Sequence, residues 1–151
     1  VSGAVMGMGI ILIAFYIQTG EVTIDAVLIS VPSMILVGAI MLSNNIRDIV
    51  GDTEGGRKTM AILVGRHNAI TILAAFFVVS YIWIVGLVFL GHLTPWALLV
   101  LLSAKKPIDS IKLFRAKEKP LEVMPAMKFT AQTNTIFGFL LAVGLLISYF
   151  L

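Results

Sequence analysis

The chain has 151 residues, of which 59% are hydrophobic and 13% charged, with a mean hydropathy of +1.03. Soluble domains carry about 25% charged residues, so the composition excludes a soluble globular domain and points to an integral membrane protein. The net charge of +3 and pI of 9.4 do not mark a nucleic-acid binder, because the bases are placed for a membrane; the absence of cysteine excludes disulfides, thiolate catalysis and cysteine-bound zinc.

Five apolar stretches follow one another. Val1–Ile17 has no basic residues before it, so it does not read as a signal peptide, and the Val1 start predicts that an N-terminal portion precedes it. Val22–Leu42 spans 21 residues, about 31 Å as a helix, which matches a hydrocarbon core of about 30 Å. Ala69–Leu90 is the third stretch, Leu93–Ala104 a short fourth of 12 residues, and Ala131–Leu151 an uncharged fifth. The predicted fold is all-α: one domain over residues 1–151, a polytopic transmembrane bundle of about five spans.

The loops set the topology. Arg47, Arg57, Lys58 and Arg66 lie between the second and third stretches, and the remaining seven of the eleven bases lie between Lys105 and Lys128. The connections near Gln18–Thr23 and Gly91–Thr94 contain none. The positive-inside rule places both basic loops in the cytoplasm, which requires the short fourth stretch to cross. After it, KKPIDSIKLFRAKEKP reads either as a short interfacial helix, with Ile108, Ile111, Leu113 and Phe114 in lipid, or as a solvated loop that only sets topology. Gly3 and Gly7 permit close helix packing on the first span. Tyr16, Trp96 and Tyr149 fall at the outer boundary, whereas the deeper Tyr81 and Trp83 are expected to pack between helices.

The polar stretch Ser43–Arg66, SNNIRDIVGDTEGGRKTMAILVGR, carries the chemistry. Asn44, Asp48 and Asp52 are four residues apart; each step turns about 400°, so the three drift only about 80° and form one polar line on a helix. Two carboxylates about 6 Å apart along the axis suit a hard divalent cation, and Mg²⁺ takes one or two carboxylates with phosphate oxygens and waters. Gly51, Gly55 and Gly56 let backbone amides approach phosphate oxygens, and Arg57 and Lys58 supply charge to a diphosphate. The plainer alternative is that Arg47, Arg57 and Lys58 simply pair with Asp48, Asp52 and Glu54. Glu54 lies about 120° from Asp48 around the helix and is left out of the metal site. A second patch, Lys128, Gln132 and Asn134, sits at the entrance of the last span; snorkelling and helix packing account for much of it. His67 and His92 have no ligand spacing.

These residues carry a resemblance. Asn44–Arg66 resembles the second aspartate-rich motif of the UbiA superfamily of intramembrane prenyltransferases. Gly56–Ala61, GRKTMA, and Met124–Gly138, MPAMKFTAQTNTIFG, are similar to the branch that prenylates 1,4-dihydroxy-2-naphthoate in the menaquinone pathway. The resemblance covers essentially the whole chain as the C-terminal half of such an enzyme. It implies nine spans around a cavity, and two aspartate-rich motifs that hold Mg²⁺ on a polyprenyl diphosphate. It assigns Asn44, Asp48 and Asp52 to the metal, Asp48 and Asp52 to catalysis, and Asn44, Arg57, Lys58 and Lys128 to the diphosphate. The first motif, of N-D-x-x-D type, has no counterpart in these residues. It is expected upstream with four further spans, so these residues alone are expected to be inactive.

The implied reaction is polyprenyl transfer to an aromatic acceptor, giving demethylmenaquinone, in a bacterial cytoplasmic membrane with the aspartates facing the cytoplasm. Electrostatic stabilisation of the leaving diphosphate and a dry cavity suffice, without a nucleophilic side chain. Three alternatives compete. CDP-alcohol phosphotransferases space aspartates similarly, but their D-G…A-R…G…D…D frame is absent. A membrane transporter or ion-conducting subunit, with Asp48 and Asp52 on a permeating cation, places acids in mid-span, where the five apolar stretches have none. A non-catalytic membrane fragment is the third.

Overall fold

The structure, a computed structural model, describes residues 3–150. Val1 and Ser2, at the start of the first predicted span, and Leu151 lie outside the described residues. A π-helical turn, Ala4–Gly9, runs into α1 (Ile10–Thr19). There follow α2 (Ile24–Arg47), α3 (Ile49–Glu54), α4 (Met60–Val64), α5 (Arg66–Phe89), a 3₁₀ helix at Pro95–Ser103, α6 (Lys105–Ala116) and α7 (Pro120–Phe150). There is no strand among the described residues. Helices α2, α5 and α7 are long and apolar enough to cross a membrane, and shorter apolar helices accompany them, so the chain is an all-α membrane bundle.

Local chemistry starts the long helices where the apolar runs begin. Thr23 caps α2 by accepting the Ala26 amide at 3.2 Å, and Asp25 sits in the first turn, where the helix dipole favours an acid. Buried hydroxyls are satisfied within their own helices: Ser30 donates to the Val27 carbonyl, Ser43 to Ile40, Ser80 to Phe76 and Thr133 to Phe129. In hydrocarbon such groups have no water to turn to. The core gathers Leu36, Ile46, Leu73, Ile84 and Phe137 from α2, α5 and α7.

The two ends of the bundle differ in charge, although Lys105 and Lys106 lie about halfway along the helical pass from Pro95 to Ala116 and not at the base-rich end. At one end the base-free connections meet: Asp25 Oδ1 and His92 Nδ1 are 2.8 Å apart, and Trp83 Nε1 donates to the Leu28 carbonyl at 2.9 Å. At the other end Arg66 donates to the carbonyls of Ile46, Phe114 and Lys117, which brings both base-rich segments together. Tyr81 and Trp83 serve packing. Tyr81 shares a hydrogen bond with Ser103 at 2.6 Å and meets Phe137 edge-on at 5.3 Å. Trp83 also lines an apolar cavity of about 480 Å³ with Leu28 and Val79.

The fourth pass differs from the sequence expectation. The apolar run forms a 3₁₀ helix, and Ala104 keeps helical angles (φ −61°, ψ −20°), so the chain passes into α6 without an extended residue. At about 2.0 Å per 3₁₀ residue and 1.5 Å per α residue, the two make a rod of about 36 Å. The rod lies antiparallel to α7: Trp96 abuts Gly144, the Lys106 ammonium lies 5.3 Å from the Phe129 ring centre, and Ser110 bonds Thr130 and the Ala126 carbonyl, each at 2.9 Å. Lys105–Ala116 is therefore neither an interfacial helix nor a loop. Pro107, Ser110 and Phe114 form a buried stripe at helical spacing, and that stripe holds α6 in the bundle.

Small residues set the closest approaches. A Cβ on Gly7 would stand 2.6 Å from backbone atoms of Ser33 and Met34, and one on Gly3 would stand 2.7 Å from the Met34 carbonyl oxygen. A Cβ on Gly144 would stand 2.5 Å from the Trp96 carbonyl oxygen, whereas one on Gly138, on the same helix, would meet nothing within 4 Å. Gly144→Ala should cost about 1–3 kcal/mol through backbone displacement, and Gly138→Ala should be neutral or mildly stabilising. Thermal unfolding of the two variants of the full-length protein in detergent checks this; equal melting temperatures would contradict the packing of the rod on α7.

Candidate functional site

The aspartates lie where α2 gives way to α3. Asp48 leaves the helical region only slightly (φ −95°, ψ 12°), enough to bend the chain. One bond lies on each side of the bend: the Asp48 amide donates to the Asn44 carbonyl at 3.0 Å, closing α2, and the Asp52 amide donates to the Asp48 carbonyl at 2.8 Å, opening α3. The polar line expected on one straight helix is thus a bent line that keeps its four-residue step. Beyond α3, Gly55 and Gly56 turn the chain, and the Arg57 amide donates back to the Asp52 carbonyl at 2.9 Å.

Asp48, Asp52, Arg57, Gly51, Gly55 and Pro120 line one cavity of about 430 Å³. The turn glycines keep the wall free of side chains, and Pro120 brings in the start of α7. Of the residues singled out in the sequence, Asp48, Asp52 and Arg57 are therefore brought together. Asn44 is half-buried one turn before Asp48 and does not line the cavity; neither do the exposed Lys58 and Lys128. Lys128 projects from α7, two turns beyond Pro120.

Both carboxylates hold an arginine. Arg47 embraces Asp48 with Nε on Oδ1 and a terminal nitrogen on Oδ2, a two-point pair between neighbours in sequence. Arg57 donates to Asp52 Oδ1 at 3.1 Å. The Arg57 side chain is 74% exposed and that of Asp52 only 10%, so the arginine reaches from solvent onto a sheltered acid. The Arg47 hydrogen bond holds the Asp48 carboxyl below the usual carboxylate range; partial burial opposes this, and the charges of Arg47 and Arg57 add to it. Two of the three pairs that the plainer alternative anticipates are present, Arg47 with Asp48 and Arg57 with Asp52, and no pair of Lys58 with Glu54 occurs among the described residues.

No group of three or more His, Cys, Asp or Glu side chains capable of holding a metal occurs among the described residues. A cage built wholly from these residues is excluded. Two acids on one open cavity fit a hard divalent cation that draws its remaining ligands from a bound phosphate and water.

Two arginines escape a reading by periodicity. Arg47 pairs with its immediate neighbour, a contact that helical spacing does not bring about. Arg66 opens α5, the end of a helix where a cation is disfavoured, and so needs acceptors from elsewhere. That misplacement is the sequence signal that points to it.

A bent aspartate line on a cavity at the base-rich end of a membrane bundle defines a class, and comparison with known proteins places the chain in it. The model of the UbiA prenyltransferase family matches residues 1–130, and the chain belongs to that family. It is 57% identical over 149 residues to the 1,4-dihydroxy-2-naphthoate octaprenyltransferase of Bacillus subtilis, covering 99% of this chain and 48% of that protein. It is also 32% identical to a UbiA prenyltransferase domain-containing protein 1 homolog of Drosophila melanogaster, over 89% of this chain and 36% of the relative. The corresponding protein of Dictyostelium discoideum is 34% identical, over 89% of this chain and 39% of the relative. The chain thus spans half or less of the length of these relatives. No solved structure matches it.

The Arg47–Asp48 pair has a signed consequence. Because the folded-state pKa of Asp48 lies below its ordinary value, the pair stabilises the fold above about pH 4 and is lost as pH falls through the depressed value. Arg47→Leu should move Asp48 protonation to higher pH. Infrared difference titration of the carboxyl band, with Asp48→Asn as the reference, reads this directly; an unmoved midpoint would contradict the pairing.

Proposed function

We propose that the full-length protein transfers a polyprenyl group from a polyprenyl diphosphate to an aromatic acceptor within the membrane. The acceptor is 1,4-dihydroxy-2-naphthoate and the direct product is demethylmenaquinol, the reduced form that gives demethylmenaquinone on a later two-electron oxidation. Residues 1–151 form part of a single transmembrane prenyltransferase domain. The observation that carries this reading is the joint placement of Asp48, Asp52 and Arg57 on one cavity at the base-rich end of the bundle. Family membership and 57% identity to an octaprenyltransferase support the choice of substrates.

In this reading Asp48 and Asp52 hold Mg²⁺, with Asn44 behind them on the same polar line. When bound, the ion supplies neutralisation of the charge that develops on the leaving diphosphate. The residues of the chain do the rest. Arg57 extends from Asp52 toward the diphosphate; Lys58, and Lys128 from α7, add positive charge at the same membrane face. The apolar helix faces shelter the isoprenoid tail and keep water from the allylic carbon as its bond to the diphosphate oxygen breaks. The electron-rich ring of the acceptor forms the new carbon–carbon bond, and its carboxylate leaves that position as carbon dioxide. A second aspartate-rich motif elsewhere in the full-length protein completes the site. The protein lies in the bacterial cytoplasmic membrane with the aspartates facing the cytoplasm, as the grouping of bases favours.

The test uses the full-length protein in membranes supplied with prenyl diphosphate, Mg²⁺ and dihydroxynaphthoate. Asp48→Ala and Asp52→Ala should each lower the yield of prenylated product by about 100-fold or more while insertion is unchanged, in line with the loss of one key electrostatic group. Full activity in both variants would contradict the assignment.

A further inference from the structure

We propose that Arg66 is a positioning residue that fixes the two walls of the aspartate cavity relative to each other, an inference that rests on the prenyl-transfer reading. Arg66 does not line the cavity. Its guanidinium donates to the Ile46 carbonyl at 3.0 Å, the Phe114 carbonyl at 3.0 Å and the Lys117 carbonyl at 2.6 Å. These acceptors come from the last turn of α2, the last turn of α6 and the link to α7. Carbonyls at helix C-termini have no partner in their own helix and carry the negative end of the dipole, so they draw a cation.

The positions of the acceptors give the clamp its meaning. Ile46 is fully buried and stands two residues before Asp48; Lys117 stands three residues before Pro120. Asp48 and Pro120 lie on opposite chain segments of the same cavity. One planar guanidinium thus ties the aspartate wall to the α7 wall. The chain aims it there through Gly65, whose φ of +79° and ψ of 154° turn α4 into α5. A lysine keeps the charge but offers a compact, strongly hydrated point rather than a rigid fork of donors, so it does not hold three carbonyls in one plane.

The experiment compares full-length wild type, Arg66→Lys and Arg66→Ala with Ser110→Ala, which removes a buried hydrogen bond between α6 and α7 without touching the clamp. Three quantities are read: Mn²⁺ affinity in the presence of inorganic pyrophosphate, by the paramagnetic resonance of free Mn²⁺; the distance between spin labels on the exposed positions 53 and 121; and thermal unfolding. The expected result is at least a 10-fold loss of Mn²⁺ affinity and a broadened label distance in both Arg66 variants. Ser110→Ala should melt earlier yet bind Mn²⁺ as wild type does. Should Arg66→Ala fail to fold, Arg66→Lys decides. Wild-type affinity in Arg66→Lys, or an affinity loss in Ser110→Ala proportional to its melting, overturns the positioning role while leaving prenyl transfer intact. A wild type that takes up no Mn²⁺ with pyrophosphate overturns the prenyl-transfer reading, and the positioning role with it.

Discussion

Hydrocarbon cannot hydrogen-bond, and most of the buried polar side chains described are placed to meet that constraint, Thr59 Oγ1 and Gln132 Oε1 being buried without a partner. Hydroxyls inside the bundle bond back to carbonyls of their own helices or, like Ser110 and Thr130, to each other. The acids and bases of the 43–66 stretch are gathered at one end. There they meet a second difficulty, because that end also collects the carbonyl termini of α2 and α6. Arg66 answers both at once: a charge that cannot enter the core meets carbonyls that cannot be left unpaired.

The same constraint shapes the site. Carboxylates at a membrane boundary need a counter-charge, and Arg47 and Arg57 provide it. Their exposures differ: Asp52 is sheltered while Arg57 is largely in solvent. On the proposed prenyl-transfer reading, a diphosphate arriving with its cation offers each arginine a more highly charged partner than a single carboxylate.

The nearness of Asp48 and Asp52 was legible in their four-residue step, which the Asp52 amide's bond to the Asp48 carbonyl closes; the bend at Asp48 and the absence of Asn44 from the cavity wall were not. The glycines at Gly3 and Gly7 were legible because a missing Cβ is itself a statement about approach distance. The fourth pass was not. In Leu93–Ala104 nearly every residue is apolar, so no periodicity separates a 3₁₀ helix from an α-helix, and its continuation into α6 depends on a stripe that includes the small polar Ser110. The partners of Arg66 stand 20, 48 and 51 residues away and are backbone carbonyls, which no residue pattern marks. Pro120 enters the cavity for the same reason: α7 is brought there by the rod. Lys128 remains an expectation from family resemblance, since it does not line the cavity.

On the proposed function, Asp48 and Asp52 jointly hold the cation of a metal–diphosphate complex. The most direct measurement is anomalous diffraction from crystals of the full-length protein grown with Mn²⁺ and a non-reacting prenyl thiodiphosphate. The expected result is a manganese peak within ligand distance of carboxylate oxygens of both Asp48 and Asp52, with Arg57 turned from Asp52 toward the diphosphate. A bound diphosphate whose manganese lies away from both aspartates, with the Arg47–Asp48 and Arg57–Asp52 pairs unbroken, would contradict it.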